Sequence, residues 1–315
     1  MRLFHGTDNA EIQRPTVLTL GVFDGLHLGH QLIMRTVVER ARETGAVPTV
    51  ITFDPHPRAV LHPESAPPLL QTLDQKVEGF GVLGIEQTIV IRFDEEFSQT
   101  PAEEFLCDVV KERLHAKEVY LGRGFAFGHN REGNIELLRR VSQQLGFFAD
   151  EVPEVQLRNQ RVSSSRVRGL LAEGKVNLAR RLLARPYGVE GRVERGAERG
   201  STLGFPTANL IPEPHKLLPT NGVYAVRVQN ISASDSISSS PVYNGVANIG
   251  VRPTFNGTVR LVEVHLLDIQ PDLYDQRITI NFIARLRNEQ RFAGIEALKA
   301  QIAMDVQQSR HVLEL

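Results

Sequence analysis

Apolar positions in the first part of the chain follow two patterns that together predict a strand, a helix and a second strand. Residues 16–23, TVLTLGVF, are rich in β-branched and apolar types and run into Asp24-Gly25, which is typical of a buried strand that ends in a turn. From Gln31 the apolar residues recur at helical spacing up to Gly45, a residue that favours a helix end. The apolar run VPTVITF follows, so this segment predicts a βαβ unit with parallel strands.

A looser form of the same alternation continues through the first half of the chain. Thr100-Pro101-Ala102-Glu103 is typical of a capping box with proline at the first helical position, and the apolar stripe after it predicts a helix. Other segments alternate around it, in the order helix 74–84, strand 87–93, strand 117–122 and helix 135–145. This alternation predicts an open, doubly wound α/β fold of the Rossmann-like type.

The pattern changes beyond Arg185-Pro186, where apolar residues recur at every second position between clusters of Gly, Pro, Asn and Asp. Segments such as GVYAVRVQ and RITINFIARL predict an antiparallel β domain, a small barrel, with one helix near 295–306. The low-complexity stretch 231–240 predicts a long hairpin loop. We therefore predict two domains of different fold, 1–185 and 186–315, which suits a length of 315 residues.

Composition excludes several classes of protein. The 36 Lys and Arg residues nearly balance the 37 Asp and Glu residues, so the formal net charge of −1 gives no general attraction to nucleic acid or to an anionic membrane. Cys107 is the single cysteine, which excludes an intrachain disulfide and favours a reducing compartment. The chain start is too polar for a signal peptide, and no apolar stretch is long enough to span a membrane. We expect a cytoplasmic protein that binds neither nucleic acid nor membrane. If it binds a small anion, a local cluster of residues must supply the attraction, because the overall charge does not.

The string GVFDGLHLGH, at the end of the first predicted strand, is the first candidate site. Its glycines let a ligand approach the backbone closely, and the helix that follows presents unpaired N–H groups to an anion. His27 and His30 are one helical turn apart, so both imidazoles can face the same anion. Gly, Asp and His are also ordinary turn residues, and for either histidine alone that alternative is the stronger one.

A second string, Ser163-Ser164-Ser165-Arg166-Val167-Arg168, precedes the short helical run GLLAEG. Hydroxyl groups, N–H groups at a helix start and guanidinium groups together suit a polyphosphate. Taken alone, such a string is more often a solvated helix cap with surface arginines. Its position after the last predicted strand of the α/β domain, together with the two histidines, favours a binding site.

These strings resemble segments of a known family. His27-Leu28-Gly29-His30 resembles the HxGH signature of nucleotidylyltransferases, and GVFDGLHLGH is similar to its form in bacterial bifunctional riboflavin kinase/FMN adenylyltransferases, also called FAD synthetases. Residues 53–57, FDPHP, resemble the FxPHP segment of that family, and residues 163–168 resemble its SSTxIR motif. The resemblance implies transfer of an adenylyl group from ATP to FMN, with FAD and pyrophosphate as products.

The resemblance also implies roles for individual residues. Those implied to be catalytic in adenylyl transfer are His27, His30 and Arg166. Those implied to bind the nucleotide are Gly21, Phe23, Asp24, Gly29, Ser163, Ser164, Ser165 and Arg168. Those implied to bind the flavin are Phe53, Pro55, His56, Pro57, Phe125 and Phe127. One residue departs from the family pattern: Gly124, in LGRGFAFG, stands where the family has Asp or Asn, so a polar side chain available for ATP or flavin is missing.

A second candidate site lies around GFPTAN, near the start of the β domain. Gly196 and Gly204 belong to a Gly-rich loop whose N–H groups suit phosphates, while the Thr207 hydroxyl and the Asn209 carbonyl are hard oxygen ligands suited to Mg²⁺. On residue types alone, a plain β-turn is at least as good an interpretation. GFPTAN resembles the PTAN motif of riboflavin kinase, which implies nucleotide binding by these four residues and Mg²⁺ binding by Thr207 and Asn209.

Four more strings are similar to riboflavin kinase segments, and they occur in the order of that family. Residues 245–255 resemble GxxNIGxRPTF, and residues 262–266, VEVHL, resemble the strand VExHL, which implies that Glu263 is the catalytic glutamate. Residues 272–276 resemble the DLYGQ turn with Asp275 in place of Gly, and Asp adopts left-handed conformations more readily than most residues. Residues 286–292 resemble LRxExxF.

The resemblance as a whole implies a bifunctional enzyme of FAD synthesis. Its C-terminal module would phosphorylate riboflavin to FMN, and its N-terminal module would adenylylate FMN to FAD. ATP would be the co-substrate of both reactions, with ADP and pyrophosphate released. Two alternatives stay open: a protein in which Gly124 leaves only the kinase active, and a nucleotide- or RNA-binding regulator built on a retired enzyme scaffold.

Overall fold

The computed structural model describes residues 1–7, 15–194, 204–230, 241–254, 257–269 and 273–314. Its contacts divide the chain into two compact units, Met1–Ser164 and Ser165–Leu315, called here the α/β unit and the barrel unit. This division falls earlier in the chain than Arg185-Pro186, where the change of sequence pattern separates the two predicted domains. The domain boundary between residues 185 and 186 stays a prediction.

The α/β unit is built on a parallel sheet of six strands. The strands are β1 (Arg2–His5), β2 (Thr16–Leu20), β3 (Val47–Asp54), β4 (Gln87–Arg92), β5 (Ala116–Gly122) and β6 (Phe148–Val152). Their order across the sheet is β1-β4-β3-β2-β5-β6. The chain therefore continues to one side of β2 through β3 and β4, and to the other side through β5 and β6. The point where the order reverses lies between β2 and β5, and in open α/β sheets ligands bind at such a point.

Helices cover both faces of this sheet. They are α1 (Leu28–Thr44), α2 (Pro57–Leu61), α3 (Leu73–Val82), α4 (Glu95–Ser98), α5 (Ala102–Glu104), a π-helix (Phe105–Arg113) and α6 (Ile135–Leu145). Short 3₁₀ turns lie at Pro63–Ser65 and His129–Arg131, and the strands β7 (Gln156–Leu157) and β8 (Gln160–Arg161) form a small hairpin. The predicted doubly wound α/β fold is confirmed.

Helix α1 begins earlier than the sequence pattern predicts. His27 is its N-cap, and the His27 side chain accepts a hydrogen bond from the N–H of His30. The apolar spacing from Gln31 missed this first turn because its residues are Gly, His and Leu, which form no apolar stripe. The end is as expected, with Gly45 at φ 65° accepting the left-handed conformation of a helix stop.

The predicted capping box at Thr100–Glu103 is wrong. The N-cap is Pro101, which has no side-chain hydroxyl, and the N–H of Ala102 is bound instead by the Glu132 carboxylate at 2.8 Å. Glu132 is remote in sequence, so it supplies from another loop the acceptor that the local motif does not. The helix then continues as the π-helix, which buries Phe105, Leu106 and Val110 against the sheet.

Two apolar clusters enclose the sheet, one on each face. Adjacent residues of β2 point in opposite directions, so Leu18 belongs to one cluster and Val17 to the other. The first cluster packs the π-helix and α6 on the sheet through residues such as Leu106 and Leu138, and the second packs α1 and α3 through residues such as Met34 and Phe80. Both faces of the sheet are therefore covered, as is usual for parallel sheets.

A buried carboxylate joins α1 to β5. Glu118 accepts two hydrogen bonds from the Arg40 guanidinium, at 2.9 and 2.7 Å, and one from the Tyr120 hydroxyl at 2.8 Å. The hydrogen bond from Arg40 holds the pKa of Glu118 below its ordinary value. Burial and the hydrogen bond to Glu118 raise the pKa of Tyr120 to about 12. The cluster therefore favours ionised Glu118 beside neutral Tyr120.

Glu118→Gln is expected to lower the free energy of unfolding by about 1–3 kcal/mol at neutral pH, because the substitution weakens a buried, charge-assisted set of hydrogen bonds. The depressed pKa of Glu118 means that this contribution exists above the ordinary Glu pKa and is lost as the pH falls through the folded-state value. Urea unfolding at pH 7 and at progressively lower pH measures the difference. Glu43→Gln is the matched control, since Glu43 also pairs with Arg40 but is exposed. Equal effects of the two substitutions at pH 7 would contradict a stabilising role for the buried Glu118 carboxylate.

The barrel unit contains a closed antiparallel barrel, which confirms the second predicted fold. Its strands are β9 (Tyr187–Glu194), β10 (Ala208–Pro212), β11 (Gly222–Asn230), β12 (Val242–Thr254), β13 (Gly257–Leu266) and β14 (Arg277–Arg287). They close in the order β10-β13-β12-β11-β14-β9. Val262 and Val264 are fully buried and alternate with partly exposed Glu263 and His265, so the two valines point into the barrel interior.

Three helices complete the barrel unit: α7 (Ser164–Ala172), which begins at the last residue of the α/β unit, α8 (Val176–Leu183) and α9 (Ile295–Glu314). Helix α8 packs on β9 and β14. Helix α9 is longer than the predicted 295–306 because it continues to Glu314 across β11, β12 and β14. Among the residues that the structure describes, no helix is both long enough and apolar enough to span a membrane.

Several sequence predictions fall on residues that the structure does not describe. These are the loop 231–240, Gly196, and parts of two kinase-like strings, Phe255 and Asp272.

Candidate functional sites

The string GVFDGLHLGH connects the carboxyl end of β2 to α1, at the point where the strand order reverses. Parallel strands direct their carboxyl ends to one edge of a sheet, so this loop lies at the edge where ligands bind in open α/β folds. The N-terminus of α1 adds N–H groups and the positive end of a helix dipole. The fold thus places the predicted anion site at a position suited to anion binding.

The two histidines of this string are packed on each other. Their rings stack with centroids 3.6 Å apart, and the His27 Nδ1 atom accepts the His30 N–H at 3.4 Å. Phe23 meets the His30 ring edge-on at 5.3 Å. A Cβ on Gly29 would lie 3.1 Å from the His27 ring, and one on Gly21 would lie 2.9 Å from the Phe23 ring. Both glycines therefore make room for these aromatic rings. The sequence analysis instead predicted that they let a ligand approach the backbone.

Asp24 is used to hold the loop. Its carboxylate accepts the N–H groups of Leu70 and Gln71 at 3.0 Å, and its backbone carbonyl accepts the Ser164 hydroxyl at 2.8 Å. Gly25, at φ 90°, leaves a space in which a Cβ would lie 2.7 Å from Leu70. Asp24 thereby joins the first predicted string to the start of the second one.

A buried lysine that the sequence reasoning missed lies beside the same loop. The Lys76 ammonium donates to the Val22 carbonyl at 3.4 Å, and the residue is only 6% exposed. Burial lowers the pKa of Lys76, while the carboxylates of Asp24 and Asp54 oppose that shift. Nothing in the local sequence marked it, because a single lysine in a helix is normally solvated.

The predicted flavin-binding phenylalanines lie in one aromatic cluster. Phe53 contacts Phe97 at 6.1 Å, Phe97 contacts Phe105 at 6.1 Å, and Phe105 contacts Phe127 at 6.2 Å, which in turn stacks with Phe125 at 6.4 Å between centroids. Phe97 and Phe105 are the members that the sequence reasoning missed. Residues far apart in the chain meet here because β3, β4 and β5 end at this edge of the sheet and the π-helix begins there.

The FDPHP string spans the end of β3 and the start of α2. The peptide bond between Asp54 and Pro55 is cis. His56 is the N-cap of α2, where its Nδ1 atom accepts the N–H of Arg58 at 3.1 Å, and Pro57 occupies the first turn. His56 and Pro57 are partly exposed, so both side chains are accessible at this end of β3.

Gly124 adopts a conformation that explains the residue types of the family at this position. Its φ is 71°, in the left-handed region where Asn and Asp are the most frequent residues after Gly. Its N–H donates to the Glu151 carboxylate at 3.1 Å, and no atom lies within 4 Å of a Cβ built on it. The change to Gly therefore preserves the backbone and removes only a side chain.

The remaining residues of the serine-arginine string belong to the barrel unit, at the start of α7. Ser165 is exposed, and Arg166 and Arg168 are partly buried. Val167 and Leu171 alternate with them at helical spacing and are fully buried. Arg166 and Arg168 are two residues apart, about 200° around the helix, so they lie on opposite flanks of this apolar face.

In the barrel, the GFPTAN and VEVHL strings are brought together on the outer face. Asn209 on β10 is the direct cross-strand partner of Glu263 on β13, and Glu263 is in turn the partner of Asn248 on β12. Direct partners in antiparallel strands carry side chains on the same face at about 5 Å. The sequence did not predict the strand register that places Asn209, Glu263 and Asn248 in one row. Asn248 was missed as a site residue although it stands in the GVANIGVRPTF string.

Metal-binding potential near this row comes from side-chain oxygen atoms. Thr207 is partly exposed two residues before Asn209, and Gly204 begins the segment with an exposed turn at φ 85°. Across the residues that the structure describes, no group of three or more His, Cys, Asp and Glu side chains is arranged to hold a metal ion. The hydroxyl of Thr207, the amide oxygen of Asn209 and the carboxylate of Glu263 are hard oxygen donors, the kind that Mg²⁺ prefers.

His265 ties the GFPTAN segment to the strand that carries Glu263. Its Nδ1 atom lies 2.9 Å from the Pro206 carbonyl, and because a carbonyl only accepts, Nδ1 is the donor. Its ring also meets Phe205 edge-on at 5.5 Å. His265 and Glu263 project from the same side of β13. The sequence pattern VExHL contained this residue but gave it no role.

In the riboflavin phosphorylation that the resemblance implies, His265→Ala is expected to lower the rate about tenfold, because Pro206, the residue directly before Thr207, loses the hydrogen bond that fixes it. FAD formation from FMN is expected to stay unchanged. His265→Asn, which can donate through its side-chain amide, is expected to recover part of the loss. The measurement is the rate of FMN formation with saturating MgATP. Loss of both activities in equal measure would contradict a local role.

The turn after β13 and the last kinase-like string have structural roles. Asp275 has φ 63°, so the predicted tolerance of Asp for the left-handed conformation is confirmed. Arg287, in LRNEQRF, binds the Asp305 carboxylate through Nε and Nη2 at 2.7–3.1 Å and fastens α9 to the barrel. Asp305 is almost fully buried, so this charge-assisted pair stabilises the packing of α9 on the barrel.

Comparison with known families assigns the two parts of the chain. The FAD synthetase model matches residues 9–166, and the riboflavin kinase model matches residues 183–313. Both matched families act on flavins with ATP, so the chain is a transferase with two catalytic modules.

Relatives with both modules cover the chain from end to end. Bifunctional riboflavin kinase/FMN adenylyltransferases are 37% identical in Haemophilus influenzae, over 98% of each chain, and 39% identical in Pseudomonas fluorescens, over 98% of this chain and 97% of the relative. The chain belongs to this family, as the sequence motifs predicted. A crystal structure described as that of a macrolide-efflux protein from Streptococcus pneumoniae is also similar, with a TM-score of 0.88 and 27% identity over 98% of both chains. The efflux activity in that description belongs to that protein.

Proposed function

We propose that the barrel unit phosphorylates riboflavin and that the HxGH-containing module adenylylates the resulting FMN to FAD. The observation that carries the kinase assignment is the cross-strand row in which Asn209 of GFPTAN meets Glu263 of VEVHL. Family membership over the whole chain supports the pairing of the two reactions.

For the kinase, we propose that Glu263 orients the 5′-hydroxyl of riboflavin and accepts its proton as the oxygen attacks the γ-phosphate of ATP, so that FMN and ADP result. Thr207 and Asn209 would hold Mg²⁺, which neutralises charge on the ATP phosphates when it is bound. Backbone N–H groups of the loop containing Gly196 and Gly204 would contact the phosphates. Because phosphoryl transfer is largely dissociative, orientation of the hydroxyl matters more than the basicity of the carboxylate.

For adenylyl transfer, a phosphate oxygen of FMN attacks the α-phosphate of ATP in line, and pyrophosphate leaves. FMN already carries the nucleophile, so positioning and charge stabilisation carry the rate. We propose that His27, His30, Ser164, Ser165 and Arg166 neutralise charge on the triphosphate. The residues that would complete the nucleotide contacts are Gly21, Phe23, Asp24, Gly29, Ser163 and Arg168. Flavin contacts would come from Phe53, Pro55, His56, Pro57, Phe125 and Phe127.

The proposed substrates are small molecules: riboflavin, FMN and ATP, with FAD, ADP and pyrophosphate as products. We propose the cytoplasm as the place of both reactions, since ATP is abundant there and a single thiol, Cys107, stays reduced.

Chromatography of the products from riboflavin and, separately, from FMN, each with MgATP, tests this function. We expect FMN and then FAD from riboflavin, and FAD with pyrophosphate from FMN. A reaction that stops at FMN would support the second candidate, a protein with kinase activity alone, which the missing side chain at Gly124 favours. No product from either substrate would favour the regulator alternative.

A further inference from the structure

Helix α3 presents one face to the loop that leads into the two histidines, called here the entry loop (residues 22–26). The buried residues of α3 are Lys76 and Phe80, which are four positions apart and therefore lie on the same side of the helix. Gly79 lies between them in the sequence, and a Cβ on it would lie 2.4 Å from a methyl carbon of Leu26. The missing side chain at Gly79 lets α3 approach the entry loop closely.

The entry loop has a backbone that needs support from outside. Phe23 and Leu26 have φ values of 50° and 40°, in the left-handed region that bulky residues rarely adopt. Such conformations are unfavourable and persist only where the surrounding structure holds them. Asp24 supplies part of this support, because its carboxylate accepts the N–H groups of Leu70 and Gln71 just before α3.

Lys76 binds the entry loop at the residue directly before Phe23. Its ammonium donates to the Val22 carbonyl at 3.4 Å, and the Thr52 hydroxyl of β3 donates to the same carbonyl, also at 3.4 Å. A peptide group is planar, so the orientation of the Val22 carbonyl also orients the N–H of Phe23. The unfavourable conformation of Phe23 is thus held on its N-terminal side by donors from α3 and β3.

The Phe23 side chain connects this support to the histidines. Its ring meets the Phe80 ring edge-on at 5.9 Å and the His30 ring edge-on at 5.3 Å between centroids. His30 in turn stacks on His27 at 3.6 Å. Helix α3 therefore contacts both parts of Phe23, the backbone through Lys76 and the ring through Phe80.

We propose that Lys76 is a positioning residue for FMN adenylylation. It fixes the backbone before Phe23, and the Phe23 ring sets the position of the His30 imidazole. The inference rests on the proposed function of His27 and His30, which is to neutralise charge on the triphosphate of ATP. Every contact in this path lies within the α/β unit. Because a charge-stabilising group acts only from the correct position, a displaced imidazole would slow the reaction although no group that contacts ATP is removed.

Lys76→Met in the full-length chain tests the proposal, since methionine keeps most of the length of the side chain and removes its ammonium group. We expect kcat for FAD formation from FMN to fall about tenfold, while riboflavin phosphorylation by the same sample changes less than about twofold. Lys76→Arg keeps a charged donor and is expected to recover most of the loss. Lys117→Met is the matched control, because Lys117 also donates to a backbone carbonyl, that of Thr44, but is exposed.

The combination of Lys76→Met with His30→Ala separates positioning from stability. If Lys76 acts through His30, Lys76→Met is expected to cost less than about threefold once the imidazole is absent, whereas a loss of folded protein would lower the rate by the same factor in both backgrounds. Equal factors in the two backgrounds would therefore overturn the proposal. If Lys76→Met does not fold, Lys76→Gln decides, because its amide is shorter and uncharged. A loss of about threefold that disappears with His30→Ala supports the proposal, and no loss or an equal loss contradicts it.

Two of these proteins also show at which step a failure lies. No FAD from the wild-type protein, or normal FAD formation by His30→Ala, would remove the proposed function of the histidines and the role of Lys76 with it. A slow His30→Ala variant beside a Lys76→Met variant of wild-type rate would remove the positioning role alone.

Discussion

Glu263→Ala is expected to abolish FMN formation from riboflavin while FAD formation from FMN continues at the wild-type rate. The substitution removes the group proposed to orient the riboflavin hydroxyl and accept its proton, a contribution of about 10²–10⁴-fold in comparable reactions. Asn209 and Asn248, its cross-strand partners, would remain in place because the register of β10, β12 and β13 is set by backbone bonds. The measurement is product chromatography with each flavin and MgATP.

Two further variants sharpen this result. Glu263→Gln keeps the shape and the ability to contact a hydroxyl, so the difference between Gln and Ala separates orientation from proton acceptance. Glu213→Ala is the matched control, since Glu213 is a carboxylate after β10 that pairs with Arg277 at 3.6 Å. Wild-type kinase activity in folded Glu263→Ala protein would show that the glutamate has been assigned wrongly.

His30→Ala is expected to give the opposite pattern, with FAD formation from FMN reduced about 10²–10³-fold and FMN formation unaffected. The substitution removes one of two stacked imidazoles at the entrance of α1, and removal of a donor that stabilises developing charge costs about this much in other enzymes. The measurement is pyrophosphate release with FMN and ATP as substrates. His5→Ala, on the exposed edge strand β1, is the control for a histidine outside the site.

The two substitutions together test the separation of the sites. Glu263→Ala and His30→Ala, mixed in equal amounts with riboflavin and MgATP, are expected to form FAD, because each protein supplies the reaction that the other lacks. If either substitution eliminated both reactions in folded protein, two independent catalytic modules would be the wrong description.

Local sequence was a good guide to the elements that carry a strong period. The strand β3 and the helix α6 follow the predicted runs closely, since apolar runs and helix caps depend on neighbours within a few residues, whereas β2 ends at Leu20, three residues before the end of its predicted run. It was a poor guide where a distant residue completes the structure. The edge strand β1 is short and mostly exposed, and the cap of Ala102 comes from Glu132.

The candidate sites show the same contrast at the level of single residues. The motifs around His27, Glu263 and Asn209 could be found from the order of the residues alone. The roles of Lys76 and His265 could not, because each depends on one contact with a backbone carbonyl in another segment, Val22 or Pro206. A residue type in a string says nothing about which remote carbonyl it will meet.

By itself, the sequence determined that the chain has two modules of different fold and that each carries the motifs of a flavin-processing transferase, because periodicity and motif order are properties of short, contiguous segments. Only the tertiary structure decided which residues are neighbours. The register of the barrel put Asn209, Glu263 and Asn248 in one row, and the packing of α3 put Lys76 beside the Val22 carbonyl. Those contacts join segments far apart in the chain, where strand pairing and core packing set the geometry and local preference has no influence.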